Sequence, residues 1–561
     1  MKHYSDCFNK RSRFIEAPSL REVEAAAMPN AGGAVDGLAA RLGELLQVQN
    51  DFFPCFDWTF PPPLLSKSEP PADAAALFAR PSVVPGRYSI YLHSPFCKSL
   101  CSFCYYAVIP GRGSRMAEDY IDRLLGEMAM YREAMAGQVC ESIYFGGGTP
   151  SFLDGVLLRR VFEGLHANFD IEADAEITVE ASPGTLPRVK LELLRSLGVN
   201  RLSYGIQSLD EALLAGMNRS YSIDEAVREL TDAVERIGNV NVDTMYGFDG
   251  EHEDALLESL GRLHEIGVPS LSIYALDKQR SQSLQHFEPP KDSLYEYKIR
   301  QFARAEALLD SFGFQPVLQN VFVDPRRASY RHQVRRWDNL PLLALGMNAQ
   351  GYAPRRPYQN IASIKSYCQA IDEGRLPVAT CDELDRELEF CRELTSKLRF
   401  TWVSIGQMRY KYGVDLQAVF GELIDALGEL GYLECDGDIL RMTPKAAYYN
   451  NIIPMLFAPD AFKEKLLGLP EEYIEAFPVP YIMTRLGRIQ SASFDFSRGR
   501  PERRHHTERR SGERRRVRAG QGADGERRCQ AERRRQAGRR SSDRMRGWSI
   551  TAGEQAAAAL P

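Results

Sequence analysis

Three cysteines crowd into eight residues of this 561-residue chain, in the run His93-Ser94-Pro95-Phe96-Cys97-Lys98-Ser99-Leu100-Cys101-Ser102-Phe103-Cys104. Thiolates at C-x3-C-x2-C spacing are soft ligands suited to an iron–sulfur cluster or to zinc. A structural zinc wants a fourth Cys or His at paired-motif spacing. Here His93 precedes the first cysteine and no C-x2-C partner follows downstream. Three thiolates on a four-iron cubane leave one iron open. The other eight of the eleven cysteines are scattered from 7 to 529, and an odd total argues against a disulfide framework.

An open iron can chelate the amino and carboxylate groups of S-adenosylmethionine (SAM) and pass an electron into its sulfonium. Cleavage then yields a 5′-deoxyadenosyl radical, chemistry that belongs to the cofactor pair rather than to side chains. Other residues suit such a ligand. Gly146, Gly147 and Gly148 form a turn with no side chains, so the backbone can approach a ligand closely. Glu180 at a candidate strand end can accept hydrogen bonds from ribose hydroxyls or an ammonium. Asp243, Gln207 and Arg219 supply an acceptor, a bidentate amide and a cation. Tyr91 and Phe103 flank the cysteines and can shield a cluster from water.

These residues need elements to position them. From Tyr88 onward short β-rich runs alternate with longer amphipathic stretches. The candidate strands are Tyr88–Ser94, Glu141–Gly146, Glu176–Ala181, Arg201–Gln207, Asn241–Phe248 and Ser270–Leu276, with helices such as Asp119–Met135 and Asp224–Ile237 between them. Six β/α repeats in series predict a parallel sheet with crossover helices, a partial (β/α)6-type barrel in the α/β class. Chemistry in such a barrel sits at the C-terminal ends of the strands. The cysteine run follows the first strand and the glycine turn follows the second, so both fall on that face. From about 385 the pattern turns mostly helical, then gives a hairpin over Gly431–Thr443, which predicts a winged-helix-like module. Its helix over Leu416–Leu430 carries Glu422, Asp425 and Glu429 but no Lys or Arg, which speaks against reading DNA.

The motifs, in order, resemble the radical SAM superfamily and, within it, the HemN/HemW-like family of oxygen-independent coproporphyrinogen III dehydrogenases and relatives. The resemblance runs from about Tyr88 to Phe457. It comprises the cysteine run, Tyr144–Ser151, Val179–Pro183, Gly198–Ser208, Met217–Arg219, Asn241–Gly247, Tyr330-Arg331-His332 and Gly346–Gly351. The resemblance implies a [4Fe–4S] cluster on Cys97, Cys101 and Cys104. It further implies SAM contacts from Gly147, Gly148, Thr149, Glu180, Gln207, Asp243 and Arg219, the last pairing with the SAM carboxylate.

One position departs from the family. Its coproporphyrinogen dehydrogenases carry a fourth cysteine two positions after the third, where this chain has Tyr106. The leading reading is an oxidoreductase that decarboxylates coproporphyrinogen III or acts on a related large conjugated substrate. A carbon transferase using a second SAM for methylation or cyclopropanation is one alternative. A heme chaperone with His332 as axial ligand is the other. The implied partners are a small-molecule substrate and a low-potential electron donor such as flavodoxin or ferredoxin.

The expected domains are an N-terminal extension over 1–86, a radical SAM barrel over 87–380, the C-terminal module over 381–470 and an Arg-rich tail over 471–561. The stretch 60–72 is rich in proline and reads as a linker. Between Arg498 and Arg546 there are 19 Arg and seven acidic residues, against a net charge of −5 for the whole chain. The body before the tail therefore has an acid surplus, so a globally basic, nucleic-acid-type surface is not expected there. The tail's composition predicts disorder. No signal peptide is evident and no window reaches the roughly 18 apolar residues of a membrane span, so a cytoplasmic protein is expected.

Overall fold

The computed structural model describes residues 70–459 apart from short interruptions, the longest at 277–293, and the isolated residue 42. The expected tail over 471–561 and most of the extension over 1–86 lie outside the described residues. Among those described, no helix is long and apolar enough to cross a membrane.

All six expected strands form, as β1 (Arg87–Ser94), β2 (Val139–Gly147), β3 (Asp170–Ala181), β4 (Arg201–Gln207), β5 (Asn239–Tyr246) and β6 (Ser270–Ala275). They lie side by side in chain order and every neighbouring pair is parallel. The helices between them include α1 (Ser114–Tyr131), α2 (Gly155–Asn168), α3 (Arg188–Ser196), α4 (Glu211–Gly216), α5 (Ile223–Ile237) and α6 (Ala255–Ile266). Helix α1 starts five residues before the expected Asp119 and stops four before Met135. Helix α5 shows why these segments are helical. Ser222 caps it by accepting from the Glu225 N–H, Asp224 and Glu225 sit in its first turn, and Gly238 ends it at φ +80°. Its buried stripe is Ile223, Ala226, Leu230 and Ala233.

The sheet is larger than the six repeats. Twelve strands share it, and the additional ones flank the parallel block. Beyond β6 come β7 (Gln315–Leu318) and β8 (Val321–Val323), with β8 pairing antiparallel to β6. Beyond β1 come β9 (Leu342–Leu345), parallel to it, and then the antiparallel β10 (Gln350–Ala353), β11 (Arg356–Asn360) and β12 (Val378–Cys381). Among the described residues the two outer strands do not pair, so the barrel is partial.

Strand alternation divides the sheet into two unlike faces. Ile90, Leu92, Ile143, Phe145, Ile177, Val179, Leu202, Ile206, Val240, Val242, Leu271 and Ile273 point to the helices and belong to the main apolar core. The other face carries buried Ser89, Ser142, Glu176, Thr178, Arg201, Ser203, Asn241, Ser270 and Ser272. This inner wall is polar, so its groups must be paired with one another or with a ligand.

The end of the expected extension is part of the packed body. Leu77, in a short helix Ala74–Leu77, is fully buried in the main core. Downstream, helices Arg386–Phe400, Ile405–Tyr412 and Leu416–Glu429 alternate with a three-stranded antiparallel sheet of Trp402–Ser404, Leu433–Asp436 and Ile439–Met442. That order of elements is the expected winged-helix arrangement, and it buries its own apolar cluster around Phe390, Leu394, Phe420 and Leu427.

A buried carboxylate ties helix α1 to the loop after β9. Glu127 accepts from the Gly346 N–H at 2.7 Å, the Tyr367 hydroxyl at 2.6 Å and the Asn360 amide at 2.8 Å. Burial raises its pKa from 4.5 to about 7, against the pull of those three donors. Its charged form is therefore less favourable in the folded chain than in the unfolded one. The stability it contributes is full below pH 4.5 and is lost as pH rises through 7, by about 3 kcal/mol. Denaturant titrations across that window should show this fall, and Glu127→Gln should flatten it. An unchanged slope in the variant would refute the assignment.

Candidate functional site

The cysteine loop leaves the C-terminal end of β1 and is held from two sides. It is closed at its base by a two-residue pairing of Phe96–Cys97 with Ile109–Pro110. On one side the glycine turn at the end of β2 lies against the backbone just before Cys97. The Gly148 N–H donates to the Ser94 carbonyl at 2.6 Å and the Thr149 N–H to the Phe96 carbonyl at 2.8 Å. A Cβ on Gly148 would lie 2.7 Å from the Phe96 carbonyl oxygen, which is why the closest approach falls on a glycine.

On the other side the chain after α4 grips the middle of the loop. The Ser102 N–H donates to the Met217 carbonyl at 3.1 Å, and the Ser102 hydroxyl to the Gly216 carbonyl at 3.0 Å. Asn218, at φ +57°, donates its side-chain amide to the Leu100 carbonyl at 2.6 Å. Left-handed backbone at a non-glycine residue is tolerated best by Asn, whose side chain here makes a productive bond. Phe103 packs edge-on against Phe248 at 6.3 Å and lies 5.8 Å from the Arg219 guanidinium.

The three cysteines are half-buried and free of disulfides. Burial pushes the Cys97 thiol up, opposed by a hydrogen bond with the Thr149 hydroxyl at 3.5 Å and by the Arg219 charge. Burial pushes Cys104 up to about 11, opposed by a backbone hydrogen bond at Tyr106 and, more weakly, by the Arg219 charge. Among the described residues no three His, Cys, Asp or Glu side chains gather as they would around a single ion. A cubane spreads its thiolates over separate irons, so it asks for no such convergence.

The expected cofactor contacts come together around this loop. Glu180, at the end of β3, accepts from the Tyr144 hydroxyl at 2.8 Å and the Gly147 N–H at 3.0 Å. Burial raises its pKa to about 7. Arg219 donates to the Gly205 carbonyl at 2.7 Å, while its Nε is buried without a hydrogen-bond partner. Gln207 ends β4 at φ +76°, a strained conformation of the kind that marks binding sites. Asp243 is held by Asn241 at 2.9 Å and Ser203 at 3.3 Å, and burial raises its pKa. Tyr91 stacks on Tyr144 with ring centroids 6.2 Å apart and shares a hydrogen bond with His93 Nδ1 at 3.2 Å.

A match to the radical SAM superfamily covers residues 91–263, the segment that carries every group just described. That stretch is a radical SAM domain. The chain is 27% identical over 326 residues to heme chaperone HemW of Mycobacterium tuberculosis, covering 56% of this chain and 83% of that protein. It is 26% identical over 397 residues to oxygen-independent coproporphyrinogen III oxidase of Escherichia coli, covering 66% and 85%. The solved structure of the Escherichia coli coproporphyrinogen III oxidase HemN, described as a radical SAM enzyme, superposes with a TM-score of 0.63 at 23% identity, over 73% of this chain and 99% of that one. This last likeness is one of fold.

The cofactors of a radical SAM domain are a [4Fe–4S] cluster and SAM, and the residues present fit both. Three soft thiols stand on one buttressed loop, the glycine turn offers bare backbone beside them, and Arg219 keeps a buried unpaired N–H for an anionic group.

Sequence reasoning missed several residues of the domain. Asn218 was read only as part of a motif, and Ser102 only as a spacer. His332 was considered as a heme ligand, but it is buried, its Nδ1 lies 3.0 Å from the Ser142 hydroxyl and its N–H donates to Glu176. The polar inner wall was legible as period-two alternation, Arg201-x-Ser203 beside Asn241-x-Asp243, and went unread.

Proposed function

We propose that the chain is a SAM-cleaving radical enzyme acting on a porphyrinogen or related large conjugated substrate, in the first instance by oxidative decarboxylation of coproporphyrinogen III. The observation that supports it is the cysteine loop, held between the β2 glycine turn and the segment after α4, above a polar inner wall. Bound together and given an electron by a donor such as flavodoxin or ferredoxin, cluster and SAM supply a 5′-deoxyadenosyl radical for hydrogen abstraction.

The chain's own residues do the rest. Cys97, Cys101 and Cys104 ligate, and Thr149 and Arg219 favour the thiolate form of Cys97. Gly147 and Gly148 present backbone to the SAM amino group, with Glu180 as acceptor for that group or for the ribose. Gln207 and Asp243 line the same mouth. Arg219 takes the SAM carboxylate, and Tyr91 and Phe103 keep water from the cluster. Arg219→Met should therefore weaken SAM binding about 10- to 100-fold while leaving iron content unchanged. Equilibrium binding on the reconstituted protein checks this, and unchanged affinity would contradict the role.

A second reading, heme trafficking, is favoured by the relatives named HemW. A third is carbon transfer from a second SAM; Tyr106, where a fourth cysteine would stand, favours this reading and heme trafficking alike over decarboxylation. One experiment separates the three. The protein is reconstituted without oxygen and given SAM, a low-potential reductant and coproporphyrinogen III. 5′-Deoxyadenosine with carbon dioxide supports decarboxylation, and S-adenosylhomocysteine indicates carbon transfer. Stoichiometric heme retention with little SAM turnover indicates the chaperone.

A further inference from the structure

The inner wall contains a buried cation whose two terminal nitrogens have no hydrogen-bond partner. Arg201 is fully buried, at 0% exposure. Its Nε donates to the Ser329 carbonyl at 3.2 Å, and its guanidinium lies 3.7 Å above the Tyr330 ring. Both terminal nitrogens, Nη1 and Nη2, are buried without a hydrogen-bond partner.

Its neighbour on the same rung is in the same condition. The register aligns Tyr91 with Tyr144, Tyr144 with Thr178, and Thr178 with Arg201. Partners on adjacent strands share a face, so these side chains stand on one level of the inner wall. The Thr178 hydroxyl is also buried and unpartnered. The guanidinium and the hydroxyl thus belong to paired residues of adjacent strands on the inner face, one inward-facing layer, about 7 Å, below Glu180.

The neighbouring carboxylates accept from other donors and make no hydrogen bond to Arg201. Glu180 is taken by Tyr144 and Gly147, Asp243 by Asn241 and Ser203, and Glu176 by the Arg331 and His332 N–H groups at 2.7 and 2.9 Å. Leaving buried charged donors unpaired is costly, and native folds keep such a group where a ligand completes it.

We propose that Arg201 and Thr178 form the receptor for a carboxylate group of the substrate. A planar carboxylate matches two guanidinium N–H edges, and the Thr178 hydroxyl supplies a third donor. The surrounding Glu176, Glu180 and Asp243 favour a singly charged carboxylate over a doubly charged phosphate. The Tyr330 ring fixes the guanidinium plane from one side, and Tyr91 and Tyr144 give the same level an aromatic flank. The inference rests on the reading that the substrate enters the barrel beneath SAM. It adds which residues of the wall anchor one of that substrate's carboxylates, below the reacting carbon.

The test uses the reconstituted full chain under anaerobic conditions, with coproporphyrin III and its tetramethyl ester as fluorescent probes. The acid should bind about tenfold or more tightly than the ester. Thr178→Val should weaken the acid about fivefold and Arg201→Met about 50-fold, with ester binding unmoved. Formation of 5′-deoxyadenosine without substrate should stay within about twofold of the parent. Equal binding of acid and ester by the parent, failure of the acid to bind, or unchanged acid affinity in both variants would each overturn the proposal. Should Arg201→Met fail to fold, Thr178→Val and Arg201→Lys decide it. A parent protein that never yields 5′-deoxyadenosine sinks the proposed radical function instead, while the acid–ester comparison still reads the receptor.

Discussion

Alanine in place of Cys97, Cys101 or Cys104 is expected to abolish the brown colour, the bound iron and all SAM cleavage in anaerobically reconstituted protein, whichever of the three is replaced. On the proposed ligand set each thiolate would hold a different iron, so none could substitute for another, and a cubane stripped to two protein ligands would not be retained. The expected iron content falls from about four per chain to near zero. Cys140→Ala keeps its iron, because Cys140 is fully buried on the helix-facing side of β2 and donates to the Ser142 carbonyl. Iron analysis and the visible spectrum check the set together. A colourless Cys140→Ala protein, or a brown Cys101→Ala protein, shows the ligand set to be wrong. Zinc in the purified protein would do the same.

The second large effect is on stability and lies where the C-terminal module meets the barrel. Lys397 reaches Asp338 at 2.5 Å, Arg335 reaches Asp338 at 2.5 Å and Glu141 at 2.6 Å, and Lys411 reaches Glu393 at 2.8 Å. Burial alone would raise Asp338, but Lys397, Arg335 and Lys411 overcome it and hold the carboxyl well below its usual range. Asp338→Asn leaves those cations buried with half their partners gone, at an expected cost of about 3–5 kcal/mol. Adding Lys397→Met should recover part of the loss, because it removes a stranded charge. Urea denaturation of the two variants and the pair tests this, and a single-variant loss below about 1 kcal/mol would contradict it.

Local patterns made much of the fold legible. The run Arg201–Gln207 was bounded correctly because its residues alternate between an apolar and a polar face and are fenced by Gly198 and Ser208. The hairpin around Gly437 was equally plain, with Gly at φ +60° between two short strands. Strand β9 was not. Leu342–Leu345 is only four residues, all buried, with no alternation, and its place beside β1 depends on a pairing between residues about 250 positions apart. The cysteines and the glycine turn announced themselves by spacing. The supports from Asn218 and Ser102 did not, since one hydrogen bond from a loop to a helix end leaves no periodic trace. His332 is a different case. A histidine in a family motif invites a functional reading, yet burial drives its pKa down to about 3 and its ring lies 5.3 Å from Tyr144, in the packing of the wall.

Because hydrogen bonding among the described residues stops at Gln315–Leu318 on one flank and Val378–Cys381 on the other, no ladder among them fixes the girth of this sheet. Neighbouring strands can each adjust their twist by a few degrees without breaking a rung, so the two outer staves can spread apart together. A sheet open in this way can change its bore while the cysteine loop stays tied to β1, to the turn after β2 and to the end of α4.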